Sequence, residues 1–233
     1  MPTLTQLKKD LNKLADRKQA AILSRFFKTG PGAYGEGDVF LGIKVPEQRK
    51  AAGKYADLSL ADTQKLLKSK IHEHRLVALL ILVKKFKKGG EKLRAEIFKA
   101  YLKNTRYINN WDLVDLSAPN IVGRHLLDKS RQILYKLVRS KSLWGRRIAV
   151  LATFSFIREN DFRDSLRLSE ILLKDEHDLI HKATGWMLRE IGKRDQAVLE
   201  RFLRKYYQVM PRTMLRYAIE KFDEKKRKFY LGK

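Results

Sequence analysis

The chain has 233 residues, no cysteine, and 51 Lys and Arg against 26 Asp and Glu, a formal net charge of +25. That length suits one domain or a closely joined pair, and a 44% hydrophobic content is enough for a sizeable core. Disulfides, thiolate catalysis and cysteine zinc sites are excluded, no apolar run reaches the ~18 residues of a membrane span, and the charge points to a polyanion, nucleic acid before membrane.

In chain order, the N-terminal Met1-Pro2-Thr3-Leu4-Thr5-Gln6 lacks the apolar segment of a secretory signal, so an intracellular protein is expected. Helical spacing then dominates. Residues 29–42, with glycines at 30, 32, 35, 37 and 42, break it and are expected to form a loop. Gly30-x-Gly32-x-x-Gly35 has the spacing of a dinucleotide fingerprint but no strand before it and no βαβ unit around it. No Gly-Lys-Ser/Thr P-loop is present either, so no nucleotide cofactor is expected. The glycines are better read as letting chain approach chain, or chain approach a phosphate backbone. Leu76, Leu79, Leu80 and Val83 recur at helical spacing, and Lys84 to Gly90 should end that helix with basic side chains and glycine.

A basic residue or Trp opening a helical apolar run recurs at Arg75, Trp111, Arg147, Lys182 and Arg212, a unit of about 30 to 36 residues. Two helices and two turns fit that length. The expected fold is all-α, an α-solenoid of HEAT-like repeats with a curved, concave basic groove. An ordinary helical bundle is the alternative. A single domain over 1–233 is expected, with 225–233 as a basic C-terminal tail.

Trp111 and Asp115 are four apart and share one helix face, whereas Asp112 points elsewhere and suits a cap or salt bridge. Trp186 follows Gly185, which is unusual inside a helix and implies close approach by another helix or a substrate. In a solenoid, equivalent repeat positions line up, which would bring Trp111, Asp115, Arg147 and Trp186 to one groove. His177-x-x-x-His181 has zincin spacing but no evident third ligand, so capping or exposed histidines are expected and no metal.

Four separated segments carry a family resemblance. They are Asp38-Val39-Phe40-Leu41-Gly42-Ile43 with Pro46, Glu47 and Arg49; Trp111-Asp112-x-Val114-Asp115; Trp144-x-x-Arg147-x-Ala149; and Lys182-Ala183-x-Gly185-Trp186-x-Leu188-Arg189-Glu190. In this order they resemble the AlkD family of bacterial DNA glycosylases, HEAT-like repeat proteins that excise alkylated bases. The resemblance implies a monofunctional glycosylase for N3- or N7-alkylated purines in duplex DNA, acting without full base flipping and without cofactor or metal. It implies Asp115, Trp111 and Trp186 at the lesion, and Arg147, with Arg146, Lys182 and Arg189, on the DNA backbone. Phe26 or Phe27 falls where the family often has a Tyr against the lesion strand. A monomer in a bacterial-type cytoplasm, associated with the nucleoid through DNA, is expected. The competing readings are a non-catalytic nucleic-acid-binding repeat protein and a metal-dependent nuclease. The second lacks clustered carboxylates beyond Asp112 and Asp115.

Overall fold

The computed structural model describes residues 2–232. Among these there are only helices, turns and one isolated parallel bridge, Val39 to Ile71. Two compact units are formed, 1–121 and 122–233.

The first unit holds α1 (Leu4–Lys13), α2 (Arg17–Phe26), α3 (Val45–Lys54), α4 (Leu60–Leu67), α5 (His72–Lys88), α6 (Glu91–Lys103) and α7 (Trp111–Ala118). Side chains of Thr3, Asp16 and Ser59 cap α1, α2 and α4 by accepting backbone N–H bonds. Helix α5 is buried from His72 through Val83, so it is the core helix on which α3, α4, α6 and α7 pack. It ends at Gly89, as the basic run and glycine predict.

The glycine-rich stretch 29–42 is irregular and leads onto the start of α5. His72 donates its backbone N–H to the Val39 carbonyl at 2.8 Å, and Asp16 donates to Leu41 at 2.8 Å. Gly42 has φ of +87°, and a Cβ there would lie 2.1 Å from the Asp16 carbonyl oxygen. The glycine thus serves an approach of chain to chain.

The second unit holds α8 (Gln132–Leu137), α9 (Leu143–Ala152), α10 (Phe154–Arg158), α11 (Arg163–Ile171), α12 (Asp178–Arg194), α13 (Gln196–Tyr206), α14 (Arg212–Ala218) and α15 (Glu224–Leu231). The apolar run after Arg147 is one helix by its spacing but breaks at Thr153. The Thr153 hydroxyl turns back to the Val150 carbonyl at 2.6 Å and also reaches Ser165.

Each of the five repeat positions falls in a helix: α5, α7, α9, α12 and α14, opening at residues 72, 111, 143, 178 and 212. Each is preceded by a partner helix, so the chain is an all-α helical-repeat fold. Of residues 225–233, expected to trail as a basic tail, Lys233 lies outside the described residues and 225–231 instead belong to α15. Asp223 caps it, Lys226 pairs with Glu200, and Tyr230 is buried against Tyr207 and Phe222. The tail reading weighed the charges and missed the apolar Tyr230 that they flank.

Gly185, in α12, settles which neighbour required it. A Cβ there would lie 2.5 Å from both the Met214 carbonyl oxygen and Tyr217 Cβ, so helix α14 is the close neighbour. Gly185→Ala should lower the unfolding free energy by about 1–3 kcal/mol through overpacking. Gly53→Ala, in exposed α3 with nothing within 4 Å of the added Cβ, should instead raise it by up to about 1 kcal/mol. Denaturant unfolding of both variants checks this, and a common sign would refute it.

Candidate active site on helix α7

Helix α7 opens at Trp111 because Asn110 stops the preceding turn and its side chain accepts the Trp111 N–H at 2.8 Å. It ends at Pro119, whose missing N–H forbids the next helical bond, and a π-helical turn over Pro119–Gly123 follows. In these two turns Leu113, Val114, Ser117 and Ala118 face the core. Trp111, Asp112 and Asp115 are half-buried at the surface.

Trp111 is held by an aromatic cluster. Its ring stacks on Phe27 at 5.2 Å, and Phe27, Phe40 and the His72 imidazole pack on one another, with Phe27–Phe40 at 5.2 Å, Phe40–His72 at 4.6 Å and Phe27–His72 at 5.0 Å. Phe26 meets Trp111 edge-on at 5.8 Å. The adjacent phenylalanines therefore differ. Phe27 is 7% exposed and forms part of the cluster, whereas Phe26 is 60% exposed beside Trp111. Only Phe26 is open to a ligand.

On its His72 side the cluster is ionic. His72 Nδ1 lies 3.0 Å from Asp38 Oδ2, and Nε2 lies 2.8 Å from Asp112 Oδ2. Asp38 also accepts from Arg75 at 2.6 Å and from the Asn110 amide at 3.3 Å. Burial alone would strip the proton from His72, but hydrogen bonds to Asp112 and Asp38 outweigh it and raise the imidazole to about 9. An imidazolium thus bridges the Asp38 segment to the first turn of α7. His74, two residues on, faces burial without a carboxylate and is pushed down to about 4. Next to them the Glu73 carboxylate accepts the backbone N–H groups of Leu41, Gly42 and Ile43.

Asp115 stands one turn along from Trp111. Behind it Tyr101, in α6, is fully buried with its hydroxyl 2.9 Å from Ser117 Oγ. Burial raises the Tyr101 phenol strongly, Ser117 opposes this, and the Asp115 charge raises it further, so the carboxylate projects its field onto a neutral phenol.

In the second unit, Trp186 is half-buried on α12. Its indole N–H donates to Glu190 at 3.1 Å and its ring lies 5.8 Å from Phe154. The four expected DNA-backbone cations all have partners within the unit. Arg147 is 4% exposed and donates to the Leu179 carbonyl at the start of α12. Arg146 is held by Asp175 at 2.6 Å and by two carbonyls. Lys182 pairs with Asp178 at 2.7 Å, and Arg189 pairs with Glu220. His177 caps α12, and His181 bonds the Asp175 carbonyl. Among the described residues no group of three His, Asp or Glu could hold a metal ion.

Sequence reasoning missed His72, Asp38, Phe40 and Glu190. His72 meets Asp112 across 40 residues, Asp38 meets Asn110 across 72, and Phe40 acts on Trp111 through Phe27, all beyond any local spacing; Glu190 lies one turn after Trp186 on α12.

Helical repeats carrying a carboxylate and an indole on one exposed helix face define a class of all-α repeat protein with a surface site. The chain belongs to the DNA alkylation repair enzyme family, whose sequence profile matches residues 7–222. Among solved structures it is similar in fold to a predicted DNA alkylation repair enzyme from Enterococcus faecalis. That likeness has a TM-score of 0.68 at 16% identity, covering 90% of this chain and 97% of that one. No curated protein matches the chain. No helix among the described residues is long and apolar enough to cross a membrane.

The ionic clamp has a pH signature. Folded His72 keeps its proton to about pH 9, whereas an exposed imidazole loses it near 6.5. Its stabilisation is therefore complete below pH 6.5 and fades as the pH rises through 9. His72→Gln should lower stability by on the order of 2–3 kcal/mol at pH 6 and flatten the decline between pH 6.5 and 9. His74 has the opposite sign, losing its contribution as the pH falls from 6.5 toward 4, outside this window. Denaturant midpoints across pH 6–9.5 read the effect; parallel curves for variant and wild type would exclude the clamp.

Proposed function

We propose that the protein is a monofunctional DNA glycosylase that releases N3- or N7-alkylated purines from duplex DNA. Its membership of an alkylation repair family supplies the substrate class. The observation that carries the chemistry is the α7 pair, Trp111 and Asp115 half-buried on one face of a helix fixed from beneath.

Alkylation at N3 or N7 makes the purine cationic, so the base leaves without being protonated and no general acid is needed. What remains is to stabilise an oxocarbenium-like sugar and to deliver water. Asp115 serves both: its charge faces the developing cation, and its oxygens orient the attacking water. The N-glycosidic electron pair leaves with the base and neutralises it. Water then bonds to C1′ and gives up a proton. Trp111 offers a π face to the cationic sugar or base and keeps bulk water from the carboxylate. Trp186, on α12, is a second π face in this reading, and exposed Phe26 contacts the lesion strand. A carboxylate at a helix surface approaches the sugar without requiring full extrusion of the base.

Backbone binding is shared unequally among the expected cations. Lys182, with 41% of its side chain exposed, can turn from Asp178 to a phosphate at little cost. Arg147 reaches a phosphate only by giving up the Leu179 carbonyl.

Asp115→Asn keeps the shape and removes the charge. In single-turnover base release from methylated duplex DNA it should cost at least about 10²-fold, with unchanged binding to undamaged duplex and no effect of EDTA on the wild type. Equal release by variant and wild type would sink the assignment. No release by the wild type would favour a non-catalytic DNA-binding repeat protein.

A further inference from the structure

A second basic feature lies in the second unit, on helices other than α9, α12 and α14. A cleft of about 610 Å³ runs between α11 and α13, lined by Arg163 and Arg167 on one side and Arg201 and Lys205 on the other. Glu170 is its one carboxylate. Tyr135, Phe202 and Tyr206 add aromatic surface. Tyr135 and Arg163 also line an adjoining cleft of about 390 Å³ at the start of α8, which contains Lys129 and Arg131. The two clefts therefore make one trough across three successive partner helices.

Helices α11 and α13 each present two exposed cations one turn apart, Arg163 and Arg167 on one and Arg201 and Lys205 on the other, about 5–6 Å between Cβ atoms, an arrangement that destabilises a helix by a few tenths of a kcal/mol per pair. Nearby acids do little to offset this. Asp161 and Asp164 are taken up by Arg131 at 2.6 and 2.7 Å, and Asp164 also by the Tyr135 hydroxyl. Glu170 pairs with Arg167 at 3.2 Å, and its charge also acts on Lys205. Arg163 and Arg201 make no side-chain ion pair among the described residues. Four exposed cations on two helices that line one cleft, with a single carboxylate among them, suit an extended polyanion better than a compact one.

We propose that this α8–α11–α13 trough binds a second stretch of nucleic-acid phosphodiester backbone, separate from the duplex engaged for base release. The proposal rests on DNA as the partner and not on the glycosylase chemistry. Electrostatic contacts of this kind are sequence-independent and salt-dependent.

Arg163, Arg167, Arg201 and Lys205 are exposed, so replacing all four by Gln leaves the core untouched. Binding of an undamaged 12-bp duplex is measured by native mass spectrometry and salt titration. Wild type should bind two duplexes and the variant one, with the second event's salt slope near −3 to −4 in the wild type. Base release from a short methylated duplex at saturating enzyme should be unchanged in the variant. Identical stoichiometry and slope would overturn the proposal. So would a parallel loss of base release, which would assign the trough to the lesion site. Unchanged DNA binding with lost affinity for polyglutamate would replace nucleic acid by an acidic protein. The binding readouts use undamaged DNA, so they stand even if the glycosylase reading fails.

Discussion

His72 joins stretches of chain that are far apart in sequence. One ring nitrogen meets Asp38, at the end of the glycine-rich stretch, and the other meets Asp112, in the first turn of α7. Burying an imidazolium and two carboxylates is costly, and the arrangement is stable only because the charges satisfy one another. Arg75 and Asn110 complete the shell around Asp38. Removing one member leaves an uncompensated charge, so the cluster is all or nothing. That property makes it a good anchor for a short helix. Eight residues form a marginal helix alone, and α7 depends on tertiary contacts for its position.

An aromatic cluster converts that anchor into a placement. The imidazolium, Phe40 and Phe27 each pack on the other two, and Phe27 stacks on Trp111. Aromatic rings have few rotatable bonds, so stacked rings hold an orientation with little entropy to lose. Trp111 is thus fixed from below, while its outer surface and the Asp115 carboxylate one turn away stay at the surface. Preorganisation of this kind is what electrostatic catalysis needs, since the stabilising charge must stand in place before the cation develops.

The repeat pattern was legible because helical periodicity is local. Five helices start near residues marked by a basic side chain or Trp followed by an apolar run. The sharing of a face by Trp111 and Asp115 was legible for the same reason. What holds them was not, since Phe27, Phe40 and His72 come from separate stretches of chain, His72 from the start of the core helix α5. The Phe26–Phe27 ambiguity has the same origin: adjacent residues on a helix end point apart, and only the ring packed beneath Trp111 tells which is buried. Gly185 was a sound signal of close approach with two readings, and α14 accounts for it without a substrate.

The net charge of +25 is not one uniform feature. The cations that sequence position marks for the DNA backbone, Arg146, Arg147, Lys182 and Arg189, each already hold a carbonyl or carboxylate that orders the second unit. They serve the fold as well as any ligand, and an Arg committed in this way gives up hydrogen bonds before it gains a phosphate. The cations of the α11–α13 cleft are ordered differently, since their neighbouring acids are mostly bound elsewhere. What Glu170 leaves of their mutual repulsion can be relieved from outside. A chain that needed charge merely for solubility would spread it; one that holds a polyanion gathers it where the fold does not consume it.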